Sequence, residues 1–123
     1  MASRVVHFEI PASDPENAAR FYSAAFGWRI DKWDGPQEYW LVTTGEGQPG
    51  IDGGIVQRTS TFERVVNTVN VDDIARAAAR IGELGGTLVG ERFTIPGIGD
   101  MWYAQDPDGN TFGMLQLVEA AAT

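Results

Sequence analysis

His7 and Glu9 are the residues whose types and spacing could do chemistry. Arg4–Ile10 reads as a strand in which Val6, Phe8 and Ile10 alternate with them. Residues two apart on a strand point to the same face, so the imidazole and the carboxylate would stand side by side. An imidazole near neutral pH serves as general acid or base, and a nearby carboxylate favours its charged form. A plainer reading stands beside this one: His7 only hydrogen-bonds inside a cavity, and Glu9 pairs with Arg4 or Arg64. His7 is the single histidine of the chain. A site of two histidines and one carboxylate therefore cannot be assembled within one subunit.

Other side chains could help a ligand bind. Gln57, Asn67 and Gln105 are neutral hydrogen-bonding groups that could orient one, or could face solvent at strand ends. Trp28, Trp40, Trp102 and Tyr103 are candidate walls, because aromatic side chains commonly line small-molecule sites. Trp102 is the preferred wall because it lies beside the final hairpin; packing under the second helix or in a subunit interface is the alternative. Ser13, Ser23 and Ser60 have no base paired with them in the sequence. No glycine loop followed by lysine is present to cradle a phosphate.

The elements that must position these residues can be read in order. Pro11 is expected to stop the first strand. Asp14-Pro15-Glu16 opens a helix, with Asp14 as N-cap and Pro15 at the first helical position. Ala18, Phe21, Tyr22, Ala25 and Phe26 follow helical spacing and predict one buried stripe, ended by Gly27. Trp28–Trp33, Tyr39–Thr44 and Gly53–Arg58 read as strands. The Gly53-Gly54 pair marks either a bulge or a close approach of a ligand or another backbone. Arg64–Val71 is the next strand, and Asp72-Asp73 caps a helix whose stripe is Ile74, Ala77, Ala78, Ile81 and Leu84, ended by Gly85-Gly86. Thr87–Phe93, Met101–Gln105 and Thr111–Val118 are strands. Pro96–Gly99 turns between the first two, and Asp106-Pro107-Asp108-Gly109 turns between the last two. The tail, residues 119–123, is expected to fray.

This order is strand, helix and three strands, read twice. Val6 and Val66 are 60 residues apart, as are Ala18-Ala19-Arg20-Phe21 and Ala78-Ala79-Arg80-Ile81. Modules of about 60 residues bury little surface alone, so the two are expected to pack together.

Composition narrows the function classes. The chain has 123 residues, 43% of them hydrophobic, enough for one domain with a real core. A net charge of −8 argues against nucleic acid, whose phosphates need a basic face, and permits a cationic ligand. The absence of cysteine removes disulfides and thiolate sites. No apolar run approaches the roughly 18 residues of a membrane span, and no apolar signal core stands at the start. No membrane association and a cytoplasmic location are expected.

With these elements in place the chain resembles the vicinal oxygen chelate superfamily, which includes glyoxalase I, extradiol dioxygenases and bleomycin-resistance proteins. The resemblance spans nearly the whole chain. It rests on Val6-His7-Phe8-Glu9-Ile10, on Ala19-Arg20-Phe21-Tyr22 running into Phe26-Gly27-Trp28, on Val71-Asp72-Asp73-Ile74, on Gly85-Gly86 and on Asp106-Pro107-Asp108-Gly109-Asn110. It implies an α+β fold of two tandem βαβββ modules, about 1–60 and 61–123, forming an open eight-stranded cup, in a single domain that pairs into homodimers. The family's enzymes hold a divalent metal with one residue from each of four strands. His7 matches the first position. The second falls near Gly54–Gln57, the third at Val66 or Asn67 and the last at Gly113, and none of these supplies a histidine or carboxylate. Catalytic metals generally need about three such donors, so no metal and no cofactor are expected. The function this implies is binding of a small organic molecule in an aromatic-lined cup. The chemical pair would be His7 and Glu9, and the ligand-binding set Trp40, Gln57, Trp102, Tyr103 and Gly113. The alternative is a metal-dependent lyase, isomerase or dioxygenase using His7 and Glu9.

Overall fold

Alternation of apolar and polar residues makes the strands, and a capped helix crosses between the parallel ones. The computed structural model describes residues 3–118, so the expectation for the tail lies outside the described residues. Eight strands and two helices, an α+β set, appear in the order β1 (Val5–Ala12), α1 (Pro15–Phe26), β2 (Arg29–Lys32), β3 (Tyr39–Thr43), β4 (Asp52–Gln57), β5 (Val66–Asn70), α2 (Ile74–Glu83), β6 (Thr87–Ile95), β7 (Gly99–Gln105) and β8 (Thr111–Leu117). The chain forms two compact units. Val6–Val66 is one, and the described residues from Asn67 onward, with those before Val6, are the other.

In the Val6–Val66 unit the strand order is β2-β3-β4-β1, with β1 parallel to β4 and the other pairs antiparallel. A parallel pair needs a crossover, and α1 supplies it. Asp14 caps α1 by accepting from Asn17 N at 3.1 Å, and Gly27 closes it at φ 74°, with its N–H on Ser23 O. β1 continues through Pro11, contrary to the expected stop. Strand backbone tolerates proline where its missing N–H is not needed, and the ladder runs on until Ala12 O accepts from Arg58 N at 2.9 Å. Ala18, Ala19 and Tyr22 pack on a core of Ala12, Trp40, Val42 and Ile55.

The predicted stripe of α1 is only partly buried. Phe21 and Phe26 are 61% and 64% exposed. Tyr22 stacks flat on Trp28, with centroids 5.2 Å apart at 7°, and Phe26 lies against both rings. Tyr22 and Trp28 reach the core, while Phe21 and Phe26 are held by ring contacts at the surface.

The second unit repeats the plan. Its order is β5-β8-β7-β6, with β5 parallel to β8. Asp73 caps α2 through Arg76 N, and Gln116 Oε1 adds a second acceptor for the helix start at Ile74 N, 2.8 Å away. Ile74 and Ala78 join Ala104 and Met114 in the core, while Leu84, expected on the same stripe, is 60% exposed at the helix end. The hairpin before β8 is held by Asp106, whose Oδ1 accepts from Asp108 N and Asn110 N, and Gly109 takes φ 87°. β6 runs two residues beyond the expected Phe93 and carries an irregularity between Val89 and Phe93. No helix among the described residues is long and apolar enough to cross a membrane.

Candidate functional site

Strand register decides which side chains meet. His7 lies opposite Asp52 and Glu9 opposite Gly54, while Gly54 faces Leu41 and Val56 faces Tyr39 across the next ladder. Alternation therefore places His7, Glu9, Tyr39, Leu41 and Asp52 on one face of this sheet. Ile10, Ile55 and Trp40 lie on the other, under α1.

On the first face three polar side chains form a chain. Tyr39 Oη donates to Glu9 Oε2 at 2.9 Å, and His7 Nε2 lies 2.7 Å from the same phenol oxygen. The imidazole and phenol rings stack at 6.5 Å and 15°, and Trp33 meets Tyr39 edge-on. The Tyr39 ring reaches this position by crossing Gly54, where a Cβ would overlap the phenol ring and its oxygen. The glycine pair is thus no bulge, since both ladders of β4 run in continuous register through it. Gly53 meets the Phe8 carbonyl and ring, and Gly54 makes room for Tyr39.

Burial governs the electrostatics here. Glu9 is only 5% exposed. Desolvation pushes the His7 pKa below its ordinary 6.5, against the pull of Glu9 and Asp52, which favour the imidazolium. His7 is accordingly uncharged at neutral pH. The sequence had suggested the charged form through Glu9, but the loss of water outweighs the attraction.

The other expected site residues divide by face. Trp40 is 7% exposed in the core under α1, with the Lys32 ammonium 5.4 Å from its ring, so it lines no part of the His7–Glu9 face. Gln57 pairs with Ala12 at the end of β4 and donates to Ser13 O at 3.2 Å, away from the pair. In the second unit Trp102 packs on the core under α2 and its Nε1 donates to Gly90 O. Tyr103 and Gly113 face each other on the opposite side of that sheet, where Tyr103 stacks with Phe93 at 6.3 Å. A Cβ at Gly113 would press on Met101 Cε and come 2.9 Å from Thr68 Oγ1, which is buried without a hydrogen-bond partner. Asn67 is exposed, while Val66 and Thr68 are buried. Tyr39 and Asp52 share the face of His7 and Glu9 and were not among the residues expected there. The signal that could have found Tyr39 is an aromatic residue starting the strand beside a Gly-Gly pair.

Among the described residues the donor set does not fit a divalent metal. His7 Nε2 and Glu9 Oε2 are both engaged by Tyr39 Oη, and the further positions carry glycine, valine and an amide turned to Ser13. Among the described residues no group of three or more His, Cys, Asp or Glu side chains could hold an ion. A depression of about 370 Å³ is lined by residues 32–38 alone, a single surface turn next to Tyr39 that includes neither His7 nor Glu9.

The chain belongs to the glyoxalase-like domain family, whose profile matches residues 6–115. A glyoxylase-like domain-containing protein of Didymella fabae is 28% identical over 109 residues, covering 84% of this chain and 85% of that protein. Solved structures share the fold at lower identity. A hypothetical protein from Bacillus halodurans C-125 superposes with a TM-score of 0.73 at 12% identity, over 97% of both chains. A glyoxalase/bleomycin resistance protein/dioxygenase superfamily member from Vibrio splendidus 12B01 gives 0.67 at 22%, over 95% of this chain and all (100%) of that one. Methylmalonyl-CoA epimerase from Mycobacterium tuberculosis gives 0.68 at 14%, over 96% and 90%.

Proposed function

We propose that the protein binds a small organic molecule on the sheet face that carries His7, Tyr39 and Glu9, without a catalytic metal. The observation that supports this most is the hydrogen-bonded chain of imidazole, phenol and carboxylate, half-buried and made possible by Gly54. Polar groups held this way orient a ligand at little entropic cost, and the His7, Tyr39 and Trp33 rings give it apolar surface. The protein works as a cytoplasmic homodimer in this reading and needs no cofactor. A fragment screen by backbone amide NMR tests it. Binders should shift His7, Glu9, Tyr39 and Leu41 together, and Tyr39→Ala should abolish those shifts. Shifts confined to other residues would overturn the reading.

A second reading is a proton-transfer lyase or isomerase with His7 as base. The uncharged state of His7 at neutral pH favours it, and methylmalonyl-CoA epimerases are among the proteins of similar fold. Loss of turnover in His7→Ala with the fold intact would support it.

A further inference from the structure

We propose that Glu9, acting through the Tyr39 hydroxyl, fixes the His7 imidazole in its Nε2–H form, so that the Nδ1 lone pair accepts a hydrogen bond from an O–H or N–H group of the ligand. This deepens the binding reading above and rests on it for the ligand, though not for the tautomer.

The tautomer follows from a count of protons. A phenol has one hydrogen and gives it to one partner at a time. Tyr39 Oη lies 2.9 Å from Glu9 Oε2 and 2.7 Å from His7 Nε2, so two acceptors compete for that hydrogen. A carboxylate is the stronger acceptor, because hydrogen bonds to ionised groups are roughly twice as strong as neutral ones. The phenol hydrogen goes to Glu9. The short contact to His7 then exists only if Nε2 carries a hydrogen and donates it to the phenol oxygen. An uncharged imidazole with its hydrogen on Nε2 has a bare lone pair on Nδ1.

That lone pair is open to a ligand. Nδ1 has no hydrogen-bond partner among the described residues. Thr68 Oγ1 is the side-chain polar atom that is sealed off and unpartnered there, and Nδ1 is not, so solvent or a ligand reaches it. Glu9 and Tyr39 are positioning residues in this scheme: they touch His7 directly or through one oxygen, and the ligand meets His7. The specificity that follows is for a hydrogen-bond donor over an isosteric molecule that lacks one.

Nitrogen-15 NMR tests this directly, because the chain has a single histidine and ¹⁵N-histidine labelling gives one imidazole. In the wild-type protein at neutral pH, Nε2 should resonate as the pyrrole-type N–H nitrogen and Nδ1 as the bare, pyridine-type nitrogen. Glu9→Gln should move population toward the Nδ1–H form, since the phenol hydrogen is then free to turn to Nε2. In Tyr39→Phe the relay is cut, and adding Glu9→Gln should change nothing further. A merely structural role for Glu9 would alter stability without this tautomer shift. Phenol and toluene then serve as probes of near-equal shape, one with an O–H donor and one without. Phenol should shift Nδ1, and toluene should bind roughly tenfold weaker, the ratio set by one hydrogen bond of ordinary strength. An Nδ1–H tautomer in the wild type, or a Glu9→Gln effect that persists in Tyr39→Phe, would overturn the relay. Equal binding of phenol and toluene would overturn the donor preference while leaving the binding face intact. Binding of neither at Nδ1 would overturn the donor preference too.

Discussion

Replacing Gly54 by alanine should break the candidate site without replacing any of its polar residues. The new Cβ would fall on the Tyr39 phenol ring and oxygen, so the ring must leave. Two hydrogen bonds go with it. The one to Glu9 has a carboxylate acceptor and is worth about 1.5–3 kcal/mol, and the one from His7 about 0.5–1.5. The sum is about 2–4.5 kcal/mol. Alanine returns about 0.4–1 kcal/mol by stiffening the unfolded chain, because the backbone at Gly54 does not need the left-handed region. The net loss is about 1–4 kcal/mol, a substantial part of the 5–15 kcal/mol that stabilises a typical domain. Urea unfolding followed by tryptophan fluorescence would read it, as a midpoint shift on the order of 1 M. The decisive comparison is the same substitution in a Tyr39→Ala background, where the clash is absent. There Gly54→Ala should be neutral or stabilising by about 0.4–1 kcal/mol. An equal cost in both backgrounds would refute the reasoning, because the damage would not run through Tyr39.

Other expectations follow from the same geometry. Stability should fall as pH drops below 6.5, because the unfolded chain protonates His7 before the folded chain does, its folded pKa being lowered. The loss is complete below the folded pKa, and His7→Gln should flatten this window in urea titrations across pH 5–7. Asp106 and Asp100 have pKa values lowered by their hydrogen bonds, so their stabilisation is present above about pH 4 and disappears as pH falls through the folded values. Asp106→Asn should make the acid limb of the stability profile shallower. Gly82→Ala should stabilise by about 0.5–1 kcal/mol, since Gly82 lies in α2 with open space where the Cβ would be. Gly99→Ala should cost about 2 kcal/mol or more by thermal unfolding, because its φ of 155° disfavours a side chain and the Cβ would strike the Gln116 carbonyl.

Much of the fold was legible because local chemistry dictated it. Asp14-Pro15 and Asp73 start helices, Gly27 ends one, and the Asp106–Gly109 turn joins β7 to β8 in the structure as in the sequence. Failures came where tertiary contacts overrode a local rule. Pro11 did not end β1, because the ladder to β4 continues past it. Phe21 and Phe26 kept helical spacing without burial: Phe26 lies against Trp28 and Phe21 meets Tyr22 edge-on, both at the surface. At the site, alternation placed His7 beside Glu9 on one face. Alternation applied to β3 would also have sent Trp40 to the core and Tyr39 to the site, but it required the register between β3 and β4. That register is a long-range fact, and without it the two aromatic residues of β3 cannot be told apart as walls. The state of His7 was half legible for a related reason: the neighbouring carboxylate, which does favour the imidazolium, is visible in sequence, and loss of water is not.

Whether the His7–Tyr39–Glu9 face receives a ligand can be seen in crystals soaked with a library of small fragments. Fragment density is expected on that face, within hydrogen-bond distance of His7 Nδ1, and should be lost in Gly54→Ala crystals. Fragments that gather elsewhere on the protein and leave His7 Nδ1 to solvent would contradict that expectation.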